Sequence, residues 1–121
     1  MLILNHSLVG ELSLKFITQK EEITHSLPQD FLILDSLELA KFCNEAQIEY
    51  AALPKTTTEA LFFVNLGAKY LCFEDSNFAK TMQNLAEVYL FDTKILCVIT
   101  KESQIEQIAQ SGIDGVIFWK H

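Results

Sequence analysis

The residues of this chain that could do chemistry together are polar pairs, each following directly on a short apolar run. They are Asp35 and Ser36, Lys55 and Thr56, Glu74 and Asp75, Thr100 and Lys101, with Lys120 near the end. Carboxylates such as Asp35 and Glu74 are hard oxygen donors of the kind that hold Mg²⁺. Glu74 or Asp75 could serve as acid or base, and Lys55, Lys101 or Lys120 as an amine, toward a phosphorylated or carbonyl substrate. A lysine in that role needs burial or a cationic neighbour to shed its proton. The same residue types have a second use, because Ser, Thr and Asp after a strand cap the helix that follows. Ser36, Thr56, Asp75, Thr100 and Ser103 are expected as caps on that ground. No metal site and no cofactor is assigned; Asp35 and Glu74 are the pair that would hold Mg²⁺ if one bound.

Other chemistry has less support in the residues. His6, His25 and His121 are scattered and read as surface side chains. Cys43, Cys72 and Cys97 are odd in number, lack a C-x-x-C pair and lie in apolar surroundings, so they read as buried, reduced thiols. Gly-x-Gly-x-x-Gly, a P-loop and a nucleophile elbow are all missing. Sixteen acidic residues against nine basic ones give a net charge of −7, and all nine are Lys. Without the forked donors of Arg and with this charge, nucleic acid is not an expected partner. Asn5, His6 and Ser7 interrupt the apolar start before a leader could form, and no run approaches the ~18 apolar residues of a membrane span. The expected location is cytoplasmic.

The elements that must position these residues alternate from residue 31 onward. Apolar runs near 31–35, 48–53, 69–74, 94–99 and 115–118 predict strands, and helices are expected at about 37–46, 57–66, 77–88 and after Ser103. The runs are continuous rather than alternating, as in strands buried on both faces of a parallel sheet. Thr56-x-x-Glu59 and Ser103-x-x-Glu106 read as capping boxes, and Gly67 and Gly112 are placed to end the helices they open. The first thirty residues predict a half-solvated strand at 11–17, a short helix opened by Thr18-x-x-Glu21, and a further strand at 2–5 in a hairpin with it. The expected whole is one domain over 1–121: a (βα)₄β core at 31–121 with the 1–30 segment packed on it.

Residues 31–121 resemble a response-regulator receiver domain, of flavodoxin-like fold. Phe31-Leu32-Ile33-Leu34-Asp35-Ser36 is similar to the first receiver strand and its acid pair, with Ser36 in place of the second acid. Lys69 to Glu74 is similar to the third strand and puts Glu74 at the phosphate-accepting place. Ile95 to Thr100 resembles the fourth strand with its closing hydroxyl, and Gly112-Ile113-Asp114-Gly115 with Lys120 resembles the fifth. The resemblance implies a three-layer α/β/α sandwich around a mainly parallel sheet, with an extra N-terminal β segment. It also implies a degenerate receiver, since a glutamate at the acceptor place does not make the family's acyl phosphate. Lys94 to Phe118 resembles as well a late unit of phosphate-binding (β/α)₈ barrels. A full barrel takes about 250 residues, so that reading requires a half-barrel that pairs with a second copy.

The run Ala60-Leu61-Phe62-Phe63-Val64 is more apolar than one face of a helix on a sheet demands. Phe62, Phe63, Leu66, Tyr89 and Phe91 are therefore candidates for an interface. The reading of the whole is a non-catalytic protein-interaction or regulatory module, a homodimer, with another protein as a further partner. The alternative is a small enzyme, or an enzyme subunit of half-barrel type, working at the carboxyl ends of the strands.

Overall fold

The computed structural model describes residues 1–119, so Lys120 and His121 lie outside the described residues. Seven strands form a sheet in the order β1-β7-β6-β5-β4-β3-β2, with β1 at Leu2–Leu4, β2 at Ser13–Ile17, β3 at Asp30–Leu34, β4 at Ala51–Ala52, β5 at Tyr70–Phe73, β6 at Lys94–Ile99 and β7 at Gly115–Phe118. The strand pairings are parallel. This is the parallel α/β class expected, and the N-terminal strand belongs to the sheet. The chain divides into two compact units, Leu12–Leu71 on one side and Met1–Glu11 with the residues from Cys72 onward on the other. Met1–Glu11 thus fall in one unit and residues 12–30 in the other.

In the Leu12–Leu71 unit consecutive strands are neighbours: β2 pairs with β3, β3 with β4, and β4 with β5. The flavodoxin order 2-1-3-4-5 would set β4 outside β3, whereas here β4 lies between β3 and β5. Crossovers are right-handed almost without exception, so steps taken in one direction carry successive helices to the same face. In this unit α2 (Leu37–Glu45) and α3 (Thr57–Asn65) pack together. The apolar run of β3 buries Leu32, Ile33 and Leu34 on alternate faces, as a two-sided strand requires. β4 is shorter than the expected 48–53, although Leu53 N–H still donates to Leu34 O of β3 at 2.9 Å. The Ile48 N–H closes the end of α2 on Cys43 O at 2.8 Å, Gln47 before it is left-handed with φ 57°, and Pro54 has no N–H to give.

Helix α3 separates its two phenylalanines. Neighbours on a helix point about 100° apart; Phe63 is fully buried beside Ala60, and Phe62 stays 55% exposed. The buried Tyr50 hydroxyl donates to Leu66 O at 2.7 Å, which satisfies a carbonyl at the end of α3. Gly67 follows with φ 80°, where a Cβ would stand 2.6 Å from Asn44 Oδ1. The short α1 (Lys20–Thr24) opens one residue later than its capping signal suggests. Glu22, not Glu21, accepts from the N–H groups of Thr18 and Gln19, each at 2.9 Å.

In the other unit β1 pairs in parallel with β7, Leu2 opposite Gly115 and Leu4 opposite Ile117, where a hairpin with 11–17 was expected. β7 pairs in turn with β6. Gly115 makes the β1 pairing close: a Cβ there would meet Leu2 O at 2.6 Å and Leu2 Cβ at 2.7 Å. Helix α4 (Ser76–Tyr89) buries Ala79, Met82, Gln83 and Ala86, the spacing of one helical stripe. It ends at Leu90, left-handed with φ 54°, as Phe91 N–H closes back on Ala86 O at 3.0 Å. A 3₁₀ turn (Glu102–Gln104) leads into the short α5 (Ile105–Gln110).

Candidate functional site

The strand-end residues divide between the two units, and each set does its chemistry locally. In the Leu12–Leu71 unit, Asp35 and Ser36 follow β3, and Lys55 and Thr56 follow β4. Ser36 Oγ accepts from Leu39 N–H at 3.3 Å and Thr56 Oγ1 from Glu59 N–H at 3.1 Å. The Glu59 carboxylate accepts from Lys55 N–H at 3.1 Å, so the expected capping box closes one residue earlier than Thr56. Asp35 and Lys55 are exposed. Two open clefts of about 470 and 460 Å³ flank Leu27 and Asp30, and neither is lined by Asp35, Ser36, Lys55 or Thr56. Asp30 is itself engaged, accepting from Leu27 N–H at 2.9 Å and from the Ser13 hydroxyl at 3.0 Å. These bonds hold its carboxyl below the usual range, the Leu27 N–H contributing most.

In the other unit, Glu74 and Asp75 follow β5, and Thr100 follows β6. Asp75 Oδ1 accepts from Asn77 N–H at 2.9 Å and so caps α4, while Glu74 is exposed. The Asp75 charge also acts on Cys97: burial raises that thiol most, and the carboxylate adds to it. After β6 the expected roles change hands. Thr100 and Lys101 offer backbone N–H groups, and Gln104 Oε1 accepts both, at 2.9 and 3.0 Å. Neither Thr100 nor Ser103 acts as the cap expected of it. Lys120, the remaining candidate, lies outside the described residues. Cys43, Cys72 and Cys97 are free and buried, and burial pushes the Cys43 thiol up to about 11.

Among the described residues no three His, Cys, Asp or Glu side chains gather as a metal ion would require. Neither a family model nor a curated protein sequence matches the chain. What the strand ends offer chemically is a series of helix starts, each with its side-chain oxygen already turned to a backbone N–H.

Two polar clusters carry no clear mark in the sequence, both in the unit that holds β1, β6 and β7. Asp114 joins three elements: its carboxylate accepts from Gln83 Nε2 at 3.1 Å and from Ile95 N–H at 2.9 Å, and its own N–H donates to Gln83 Oε1 at 2.9 Å. His6 stands after β1, with Nε2 3.3 Å from Glu102 Oε2 and its ring 5.0 Å from that of Phe118. A faint signal for the second cluster existed, since a polar pair closes the run Leu2–Leu4 as it does the other strands.

Of the apolar candidates, Phe63 is spent in the core and is withdrawn as an interface residue. Phe62 is exposed and Leu66 half-buried on α3. In the other unit Tyr89 is 67% exposed and stacks on the half-buried Phe91 at 6.4 Å, with Val88 and Leu90 exposed beside it.

Proposed function

We propose that this chain is a non-catalytic protein-interaction or regulatory module that self-associates through α3. The observation carrying this reading is the engagement of Ser36, Thr56, Asp75 and Gln104 with neighbouring backbone N–H groups. An oxygen that caps a helix start is not poised to take a substrate proton, and moving it uncaps the helix at about 1 kcal/mol. The exposed Phe62 supplies the interface. Burying a Phe is worth roughly 1.5–3 kcal/mol, and this ring is already about half covered. One ring from each copy therefore falls short of association costs of several kcal/mol. Leu66 and further apolar side chains have to join the contact, which makes the expected dimer weak.

Sedimentation equilibrium over a wide concentration range tests this reading. The expected result is a concentration-dependent dimer that Phe62→Glu abolishes without loss of fold. A strict monomer at high concentration, or a dimer indifferent to Phe62→Glu, overturns it.

The one-way strand order β2-β3-β4-β5 supports a second reading, a half-barrel enzyme subunit acting on a phosphorylated or carbonyl metabolite. Titration with inorganic phosphate and Mg²⁺, followed by amide NMR, separates the two. Shifts gathered at residues 35–36, 55–56, 74–75 and 100–101 favour the enzyme, and no shift there favours the module.

A further inference from the structure

Residues 5–10 form a tight turn at the carboxyl end of β1, held by backbone bonds and by one imidazole. Asn5 takes a left-handed conformation, φ 62°, and its side-chain amide donates to Phe118 O at 2.7 Å. The N–H groups of Val9 and Gly10 both donate to His6 O, at 3.0 and 2.8 Å. Leu8 N–H donates to His6 Nδ1 at 3.1 Å. At the tip Leu8 is 85% and Val9 59% exposed, so nothing apolar keeps the turn closed.

The two ring nitrogens then have assigned roles. Nδ1 accepts, so the neutral ring carries its proton on Nε2, which lies 3.3 Å from Glu102 Oε2. Neither nitrogen has a lone pair left for a substrate. A proton arriving from solvent can enter only at Nδ1, and imidazolium is a donor at both nitrogens. Nδ1–H would then face Leu8 N–H, donor against donor. On the far side the same proton strengthens the contacts, because the Glu102 contact becomes an ion pair. Glu102, from the turn after β6, is the charged group in contact with the ring; β7 contributes the uncharged Phe118 ring.

We propose that protonation of His6 frees the Leu8 N–H from the turn while the ring itself stays seated on Glu102 and Phe118. The step moves one proton and breaks one hydrogen bond, that of Leu8 N–H. It would loosen a tip whose two apolar side chains are already exposed, and it holds whether or not the chain self-associates.

The test uses the full ¹⁵N-labelled chain titrated from pH 8 to pH 5. Long-range imidazole spectra report the tautomer and protonation of His6, and amide exchange relative to its intrinsic rate reports Leu8. The Nε2–H tautomer is expected at high pH, with Leu8 protection falling about five-fold as the ring is protonated, for one hydrogen bond lost. His6→Asn supplies a side-chain oxygen that can accept the same N–H in an Asx-turn and does not titrate. Leu8 protection in that variant should be constant across the range. An Nδ1–H tautomer, unchanged Leu8 protection on protonation, or the same loss in His6→Asn each overturns the proposal.

Discussion

Removing the Asp114 carboxylate should destabilise this protein more than truncating any one of the helix-capping side chains. Its two oxygens serve different elements, Gln83 on α4 at 3.1 Å and the Ile95 N–H of β6 at 2.9 Å. Gln83 is 4% exposed and Ile95 fully buried. Asp114→Ala strands both donors. A buried donor without a partner costs about 1–3 kcal/mol, so two cost about 2–6 kcal/mol. Water can reach part of the site, because Gln83, Lys94 and Asp114 line an open cleft of about 260 Å³. Rehydration through it favours the lower half of the range, about 2–4 kcal/mol.

Asp114→Asn sharpens the argument. One oxygen survives, but the new NH₂ must point at a donor, either Gln83 Nε2 or the Ile95 N–H. The loss should be about 1–2 kcal/mol even though the shape is conserved. Gln83→Leu combined with Asp114→Ala removes the Gln83 donor and leaves the N–H groups of Ile95 and residue 114 stranded, so the double variant should be more stable than the sum of the single losses by ~1 kcal/mol. Urea denaturation followed by far-UV circular dichroism measures the parent and each variant, the shift in midpoint giving the difference at constant slope. If Asp114→Ala lies within about 0.5 kcal/mol of the parent, or Asp114→Asn is indistinguishable from it, the clamp does not hold these elements together.

Four further outcomes are expected elsewhere in the molecule. Gly115→Ala must push Leu2 O and Leu96 Cδ2, at 2.6 and 2.9 Å from the new carbon, apart from β7; a loss of about 1–3 kcal/mol by urea denaturation and faster amide exchange in Leu2–Leu4 should result. The buried thiols of Cys43, Cys72 and Cys97, all held above their ordinary values by burial, should be silent to an aromatic disulfide reagent at pH 8 and all react in guanidinium. Glu22 is held below its ordinary 4.5, first by the Thr18 N–H and then by its hydroxyl; the stability it adds is complete above that value and fades as pH falls through the lowered one, so Glu22→Gln should flatten the acid limb of a pH–stability curve. If the resemblance to a degenerate receiver holds, with Glu74 at the acceptor place and Ser36 at that of the second acid, acetyl phosphate with Mg²⁺ should leave the intact mass unchanged; an added phosphoryl group would refute that reading.

The sequence was most readable where one physical demand acts alone. Continuous apolar runs needed burial on both faces, and β3, β5, β6 and β7 lie where those runs are. Helix ends were harder, because adjacent residues offered the same chemistry. Glu21 and Glu22 are both carboxylates in reach of the start of α1, and the geometry of the turn, not the pattern, selects Glu22. After β6, Ser103 and Gln104 compete in the same way, and Gln104 wins by reaching back to two N–H groups. Strand order was not readable at all. A right-handed crossover from β3 to β4 looks the same in sequence whether β4 ends up outside β3 or between β3 and β5. The partner of β1 was hidden for a related reason: three apolar residues, Leu2–Leu4, carry no mark of whether they pair with a neighbour or with β7.

Function was less readable than fold because helix capping and catalysis draw on one set of residue types at one place. Ser, Thr and Asp at the end of a parallel strand suit either use, and only the direction of a lone pair separates them. Ser36, Thr56 and Asp75 turn an oxygen toward the first N–H groups of α2, α3 and α4. His6 extends the argument to a side chain that capping rules do not cover. It sits at a strand end, beside a carboxylate and an aromatic ring, which is a familiar setting for a general base. Its Nδ1 nevertheless accepts from Leu8 N–H, and its Nε2 faces Glu102. A base must keep one lone pair for its substrate. In the neutral state this ring has given its only one to the backbone, so protonation frees the Leu8 N–H instead of activating a nucleophile.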